Sequence, residues 1–208
     1  GVDSAFLTAA AQRVLGERSV AATATSLIHS PAELEVARDL AHRLGIRHLF
    51  VPTDELSDPS FVANDSNRCY HCKRHFFGRL LHIASEEGLD YVVDGSNYDD
   101  LKDFRPGRKA LMELGVRSPL CEVGLTKAEI RSLSRKQGLP TWDKPSSACL
   151  ASRFAYGTAI TVDLLRRIAQ AEEYLHELGL RQVRVRHHGS IARIELDSQD
   201  MALLGDEV

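Results

Sequence analysis

The stretch Ser19-Val-Ala-Ala-Thr-Ala-Thr25 decides the fold, because this short run of apolar and β-branched residues predicts a buried strand. Ser30-Pro31-Ala-Glu33 follows it as a capping box with proline in the first turn, and predicts a helix that ends before Gly45. The run His48-Leu-Phe-Val-Pro52 predicts the next strand. Strands separated by single helices indicate a parallel sheet with right-handed crossovers.

The same alternation extends on both sides of this unit. Upstream, Ala5 to Leu15 is a helix-forming segment, and we expect one further strand before Gly1, outside this sequence. Downstream, residues 68–87 predict a helix and Asp90-Tyr-Val-Val-Asp94 predicts another strand. The sequence therefore predicts an α/β fold with a parallel, Rossmann-like sheet.

The end of the chain predicts a second, smaller α/β unit. Residues 162–178 have the pattern of an amphipathic helix, and residues 183–187 and 191–196 alternate as the two strands of a hairpin. We predict a nucleotide-binding domain over 1–155 and a small domain over 156–208, truncated at its C-terminal end, for substrate binding or oligomerisation.

Composition restricts the function classes. The chain has 208 residues, of which 43% are apolar and 26% charged, with a net charge of -3. This balance fits a packed globular enzyme and argues against a nucleic-acid binder, which usually carries a basic excess. No apolar run is long enough to span a bilayer and no signal peptide is present, so we expect a cytoplasmic protein.

Three polar segments are candidates for a nucleotide site, since ligands of parallel sheets bind beyond the carboxyl ends of the strands. Gly1-Val-Asp3-Ser4 opens a helix and offers N–H groups to an anion, unless Asp3 or Ser4 is an ordinary N-cap. Thr23 to Ser26 ends the first strand. Gly95-Ser-Asn97-Tyr-Asp-Asp100 follows a strand and would hold adenosine and Mg²⁺, with a plain polar turn as the alternative.

The segment from Trp142 to Gly157 is the candidate for the chemical step. Proline, serine and glycine keep it irregular, and it carries one thiol, Cys149, with Arg153 close by. The alternative is a small buried cysteine without a chemical role, which we also predict for Cys121. Trp142 would either stack on a base or pack at a hinge.

The motifs in combination resemble the LarE family of ATP-dependent sulfur transferases, within the PP-loop superfamily of adenine nucleotide alpha hydrolase-like fold. The resemblance covers nearly the whole sequence. It is carried by the following motifs, in order: Gly1-Val-Asp-Ser4; Arg68-Cys-Tyr-His-Cys72-Lys73; Asp103-Phe-Arg105-Pro-Gly107; Ser118-Pro-Leu with Thr126-Lys127; Trp142-Asp-Lys-Pro with Ala148-Cys149-Leu-Ala-Ser-Arg153; and Arg184-x-Arg186 with Arg193-Ile-Glu195.

The resemblance implies that ATP adenylates a carboxylate of pyridinium-3,5-dicarboxylate mononucleotide and that sulfur then replaces AMP, for nickel-pincer nucleotide synthesis. It implies catalytic roles for Cys149 and Lys127, and Mg²⁺ at Asp100, with Asp99 left open as its alternative. The implied ATP residues are Gly1, Asp3, Ser4, Thr23, Ser26, Gly95, Asn97 and Asp100. The implied substrate residues are Arg153, Arg184, Arg186, Arg193 and Glu195. A homo-oligomer is also implied.

The sequence leaves several alternatives open for the source of the sulfur. Cys69 and Cys72 depart from the family's single-cysteine pattern, and together with Cys149 they would hold a 4Fe-4S cluster with one exchangeable site. The rivals are a Cys149 that surrenders its own sulfur, and a zinc site completed by His71, His75 or Cys121. Other hypotheses are an ammonia-dependent synthetase, a tRNA-thiolating enzyme, and a nucleotide-binding or zinc-stabilised scaffold without turnover.

Overall fold

The computed structural model describes residues 1–103 and 105–201, which separate into two compact units. The first unit comprises Gly1–Thr25, Pro31–Thr53 and Asn67–Ser147. The second comprises Ser26–Ser30, Asp54–Ser66 and the chain from Ala148 onward. Both units are discontinuous in sequence, whereas the predicted division has one boundary between 155 and 156. Phe104 of the predicted Asp103–Gly107 motif and the predicted truncated end, 202–208, lie outside the described residues.

The elements of the first unit alternate largely as the sequence predicts. In chain order they are α1 (Val2–Leu15), a 3-10 turn (Gly16–Arg18), β1 (Val20–Thr25), α2 (Pro31–Leu44), β2 (Arg47–Pro52), α4 (Arg68–Glu86), a 3-10 turn (Tyr98–Leu101), α5 (Pro106–Glu113), α6 (Pro119–Glu122) and α7 (Lys127–Lys136). The second unit contains a 3-10 turn (Glu55–Ser57), α3 (Pro59–Val62), a 3-10 turn (Leu150–Arg153), α8 (Val162–Glu177), β3 (Val183–His188), β4 (Ile191–Leu196) and α9 (Ser198–Met201).

The parallel pairing of β1 with β2 confirms the predicted α/β architecture. Val20 lies opposite Arg47 and Thr25 opposite Pro52, with α2 as the connection between the strands. The helices of this unit are held by apolar faces. Val2, Ala5, Phe6 and Ala9 lie on one face of α1, at the spacing of successive helical turns. They form a core with Leu40, Leu120, Ile130 and Leu139.

Two sequence predictions for this unit are wrong. The segment predicted as a strand over residues 90–94 has only an isolated parallel bridge, between Val93 and Arg117. The pairing stops because Pro119 soon follows Arg117, has no N–H to donate, and begins helix α6. The run Gly115-Val-Arg-Ser-Pro-Leu-Cys-Glu122 predicts an extended segment, and for the same reason it turns helical at Pro119.

The second unit confirms the predicted helix and hairpin. Thr161 caps α8, its hydroxyl accepting a hydrogen bond from the Leu164 amide at 3.3 Å. Strands β3 and β4 pair antiparallel, with Val185 opposite Ile194. Leu165 of α8 and Val183 of β3 are among the buried apolar residues of this unit. Across the described part of the chain, no helix has both the length and the apolar character needed to cross a membrane.

Candidate active site

The first turn of α1 presents backbone amides that no side chain caps. The N-cap residue is Gly1, whose carbonyl accepts hydrogen bonds from the Ala5 amide and the Ser4 hydroxyl, each at 3.1 Å. The alternative that Asp3 or Ser4 is the N-cap is therefore wrong. Because the first N–H groups of a helix have no partners within it, this turn is suited to bind an anion.

Gly95 brings the second polar segment directly against this turn. A Cβ atom at Gly95 would lie 2.9 Å from the Ser4 nitrogen and 3.0 Å from its Cα, closer than a side chain tolerates. Only a glycine therefore allows the loop after residue 94 to approach the start of α1. This contact places two of the predicted ATP segments side by side in the first unit.

Lys127 completes this cluster from the start of α7. Its ammonium group pairs with the Asp3 carboxylate, and its backbone amide donates to Asp99 Oδ2 at 2.8 Å. A capping box fixes the backbone here: the Thr126 hydroxyl accepts from the Glu129 amide at 3.3 Å, and the Glu129 carboxylate accepts from the Thr126 amide at 2.9 Å. Lys127 thus stands beside the candidate phosphate site.

The carboxylates near this cluster differ in what they can offer a magnesium ion. Asp100, the predicted ligand, accepts a hydrogen bond from the Asn97 amide at 3.0 Å and pairs with Arg105 at 2.8 Å. Asp3 Oδ1, in contrast, is buried and has no hydrogen-bond partner among the residues that the structure describes. A buried carboxylate oxygen of this kind fits a hard cation. Within residues 1–103 and 105–201, no three His, Cys, Asp or Glu side chains are grouped to hold a metal ion.

Asp94, which the sequence analysis did not single out, is a buried acceptor for several donors. Its Oδ1 accepts from the Ser118 hydroxyl at 2.5 Å and the Ser96 amide at 3.2 Å, and its Oδ2 from the Ser96 hydroxyl at 2.6 Å and Lys73 Nζ at 3.2 Å. Burial by itself would raise the pKa of Asp94, but the Lys73 charge and the hydrogen bonds from Ser118 and Ser96 outweigh it, so the pKa lies below its ordinary value.

The predicted ATP residues at the end of β1 have other partners. Thr23 Oγ1 lies 2.9 Å from His48 Nε2, across the β1–β2 pair. Burial lowers the pKa of His48, and the charge of Arg38 lowers it further. Ser26 belongs to the second unit, where its hydroxyl lies 3.3 Å from His29 Nδ1. The role of Ser26 in binding ATP stays a prediction.

The cysteines are divided between the units, and all four are thiols. Cys69 and Cys72 lie one turn apart on α4; Cys69 is exposed and Cys72 half-buried. Helix α5 packs closely here, since a Cβ at Gly107 would lie 2.8 Å from Lys73 Cδ and 3.1 Å from the Cys69 carbonyl. Cys121, predicted to be a buried filler, is half-buried in α6.

Cys149 lies at the N-terminal end of the 3-10 turn Leu150–Arg153, in the second unit, and is half-buried. Arg153 holds this turn in place. Its guanidinium forms a bidentate pair with Glu172, at 2.7 and 2.9 Å, and donates to the Ala148 carbonyl at 3.1 Å. Arg153 is only 5% exposed, so the structure gives this predicted substrate residue a bracing position beneath the cysteine turn.

The predicted hairpin arginines converge on one acid. Arg186 and Arg193 each lie 2.6 Å from the Glu195 carboxylate, and Arg184 is its cross-strand neighbour. The hydrogen bond from Arg186 is the main cause of the lowered pKa of Glu195, and the Arg193 bond lowers it further. Arg186 also donates to the Ser152 carbonyl at 3.1 Å, which ties the hairpin to the cysteine turn.

Trp142 belongs to the first unit, and its side chain is partly exposed to solvent. The Arg135 guanidinium lies 4.9 Å from the centre of its ring, and the Trp142 carbonyl accepts from Arg131 at 2.8 Å. The indole thus packs against helix α7. The alternative that Trp142 stacks on a base stays a prediction.

Comparison with known proteins identifies the family. The chain is 40% identical over 207 residues to pyridinium-3,5-bisthiocarboxylic acid mononucleotide synthase of Lactiplantibacillus plantarum, an alignment that covers 99% of this chain and 74% of that protein. The chain belongs to the LarE family. This LarE protein is also 48% identical over 201 residues to an uncharacterized protein of Synechocystis sp., covering 97% of this chain and 75% of the other.

The LarE chain has the PP-loop fold. Ammonia-dependent NAD synthetase from Campylobacter jejuni superposes with a TM-score of 0.54, covering 85% of this chain and 73% of the synthetase, at 19% identity. No family model matches the sequence. Membership of the LarE family makes this an ATP-dependent enzyme.

Proposed function

We propose that this LarE protein adenylates a carboxylate of pyridinium-3,5-dicarboxylate mononucleotide and transfers sulfur to it, giving the thiocarboxylate needed for the nickel-pincer nucleotide. The similarity to the pyridinium-3,5-bisthiocarboxylic acid mononucleotide synthase of Lactiplantibacillus plantarum supports the substrate class. The observation that carries the proposal is the contact of Gly95 with Ser4, beside the Asp3–Lys127 ion pair, at the uncapped start of α1.

The activation step follows from the chemistry of that cluster. A carboxylate is a poor electrophile, so its oxygen attacks the α-phosphorus of ATP, a new P–O bond forms, and pyrophosphate leaves. Negative charge grows on the leaving phosphates, and the first-turn amides of α1 and the Lys127 ammonium are suited to stabilise it. Magnesium would be held through Asp3 or the carboxylates after Asn97, and would neutralise phosphate charge.

Substrate recognition is proposed for the hairpin of the second unit. Arg184, Arg186 and Arg193 lie on paired strands, and Glu195 orients two of their guanidinium groups. Guanidinium groups bind phosphate with two parallel hydrogen bonds, which suits the phosphate of a mononucleotide. Arg153 acts differently in this proposal, because its guanidinium is occupied by Glu172 and by the Ala148 carbonyl.

Sulfur transfer is proposed to require Cys149. A sulfur nucleophile attacks the acyl carbon of the adenylate, the C–S bond forms, and the C–O bond to AMP breaks. Cys69, Cys72 and Cys149 have the thiolate chemistry that an iron–sulfur cluster needs, and a cluster held by them would supply an exchangeable sulfide for repeated turnover. The rival is a single turnover in which Cys149 surrenders its own sulfur.

The experiment compares Cys149→Ala with Cys121→Ala, a matched loss of one half-buried thiol. Pyrophosphate release from ATP is measured with and without the mononucleotide, and the thiocarboxylate product by mass spectrometry. We expect Cys149→Ala to keep mononucleotide-dependent pyrophosphate release and to lose thiocarboxylate formation, while Cys121→Ala keeps both. Thiocarboxylate formation at the wild-type rate by Cys149→Ala would refute the role of this thiol.

Iron and sulfide analysis of protein purified without oxygen distinguishes the two proposed sources of sulfur. The cluster proposal expects about four iron and four sulfide per chain, lost in Cys69→Ala and Cys72→Ala. Protein without iron, in which Cys149 becomes dehydroalanine after one turnover, would instead establish sacrifice of the cysteine sulfur.

A further inference from the structure

The carboxylate of Asp94 joins segments that are far apart in sequence. Lys73 belongs to α4, Ser96 to the candidate nucleotide loop, and Ser118 to the stretch that leads into α6. All of them donate to this one side chain, which is 8% exposed. Two carboxylate oxygens offer about four acceptor positions, and these are filled because Ser96 donates with both its backbone amide and its hydroxyl. Asp94 is therefore a saturated buried acceptor at the junction of these segments.

Lys73 is held both at its stem and at its ammonium group. Helix α5 packs on its stem at Gly107, where a Cβ atom would lie 2.8 Å from Lys73 Cδ. Its ammonium group lies 3.2 Å from Asp94 Oδ2 and 5.8 Å from the centre of the Phe77 ring. The residue directly before it is Cys72. The cation that pairs with the buried Asp94 carboxylate therefore belongs to α4, the helix that carries Cys69 and Cys72.

The position of Asp94 links this ion pair to the nucleotide site. The next residue, Gly95, lies against Ser4, and the Ser96 amide is bound by the Asp94 carboxylate. We propose that Asp94 is a positioning residue: by binding Lys73 it fixes the Gly95–Asn97 loop against the first turn of α1 in the geometry that binds ATP. The inference rests on the proposed nucleotide site and adds residues to which no role is yet assigned.

The ionised form of Asp94 is the one that this arrangement requires. An aspartate accepts from all of its donors at once, whereas an asparagine would turn an N–H group toward a hydroxyl or an ammonium group. The lowered pKa of Asp94 agrees with this requirement. An uncharged side chain of the same shape in place of Asp94 should therefore not hold the loop in position. This outcome distinguishes positioning by the ion pair from simple packing.

The test measures the Kd for ATP with magnesium by titration calorimetry on the full chain. The variants are Asp94→Asn, Lys73→Met and the double variant, with Lys136→Met as a control that removes an exposed lysine from α7. Each single variant should weaken ATP binding by about tenfold, the loss expected for one hydrogen bond to a charged group. The double variant should be no weaker than Asp94→Asn alone, because both changes remove one interaction.

Lys73→Arg provides the rescue, since it keeps a cation and the stem under Gly107, and its Kd should stay within about threefold of wild type. Additive losses in the double variant, an equal loss in Lys136→Met, or wild-type affinity in Asp94→Asn would each overturn the inference. If Asp94→Asn does not fold, Lys73→Met and its rescue decide. A wild-type protein that binds ATP but releases no pyrophosphate refutes the proposed function and leaves this comparison intact.

Discussion

At the scale of single residues, buried polar side chains decide which loops of this protein have a defined shape. Asn64 is fully buried and has a left-handed backbone, with φ of 54°. Its side-chain nitrogen donates to the carbonyls of Ala155 and Thr158, at 2.8 and 2.9 Å. Its own carbonyl accepts from the Gly157 amide at 2.9 Å. One amide side chain therefore orders the loop that follows the cysteine turn in the second unit.

Replacing Asn64 by Asp tests this directly, because the two side chains have the same shape. The carboxylate has no N–H to give the Ala155 and Thr158 carbonyls and would face them with negative charge. We expect a loss of about 3 kcal/mol in the free energy of unfolding at neutral pH, measured in urea, from two hydrogen bonds and one buried charge. The loss should shrink in acid, where the protonated side chain donates once. A wild-type urea midpoint at neutral pH would contradict it.

Residue patterns in the sequence indicate the segments of the candidate nucleotide site better than they indicate these buried partners. Gly1 to Ser4, Gly95 and Lys127 carry local signals: a helix start, a turn after a strand, and a capping box. The partners of Asn64 and Asp94 carry none, because those hydrogen bonds join residues up to 94 positions apart. The same limit applies to Arg153, because no local pattern indicates its pairing with Glu172. Only packed tertiary structure specifies such pairs.

At the scale of elements, close approach of backbones sets the geometry of the candidate site. Gly95→Ala places a methyl group 2.9 Å from the Ser4 nitrogen, so the loop and the start of α1 must separate. We expect the KM for ATP to rise by about tenfold, the equivalent of a moderate steric conflict.

Gly78→Ala is the matched control for this prediction. Gly78 lies inside α4, and nothing lies within 4 Å of a Cβ atom added there. The substitution should stabilise the protein by about 0.5 to 1 kcal/mol and leave the KM for ATP unchanged. Equal KM values for Gly95→Ala and Gly78→Ala would show that the Gly95 contact is not part of the ATP site.

The buried pair of Arg153 and Glu172 joins the elements of the second unit. Glu172 lies on α8, Arg153 on the cysteine turn, and Glu172 also accepts from the Val185 amide of β3 at 2.8 Å. Arg153→Met leaves the carboxylate buried without its cation, and should cost about 3 kcal/mol of unfolding free energy. The double variant Arg153→Met/Glu172→Gln should be more stable than Arg153→Met, since it removes the stranded charge and keeps an acceptor for Val185. A further loss of unfolding free energy in the double variant, measured in urea and additive with that of Arg153→Met, would contradict this.

At the scale of the whole molecule, two groups tie the stability of the first unit to pH in the same direction. Asp94 has a lowered pKa, so its ionised form adds stability at neutral pH, and this is lost as pH falls through the range below the ordinary aspartate value of about 3.9. His48 also has a lowered pKa, so the folded state holds it neutral. Acid should therefore weaken the fold in two separate ranges of pH.

The higher of these two pH ranges reflects His48, and its effect on stability can be measured separately. The unfolded chain takes up a proton near the ordinary histidine pKa of about 6.5, whereas the folded chain does so only at lower pH. The contribution of His48 is thus complete above that value and falls as pH drops below it. In His48→Gln the urea midpoint should fall less than in wild type between pH 7 and pH 5, because the amide keeps a partner for the Thr23 hydroxyl and does not titrate. If the urea midpoint of His48→Gln falls as much as that of wild type between pH 7 and pH 5, burial of His48 is not what couples the fold to pH.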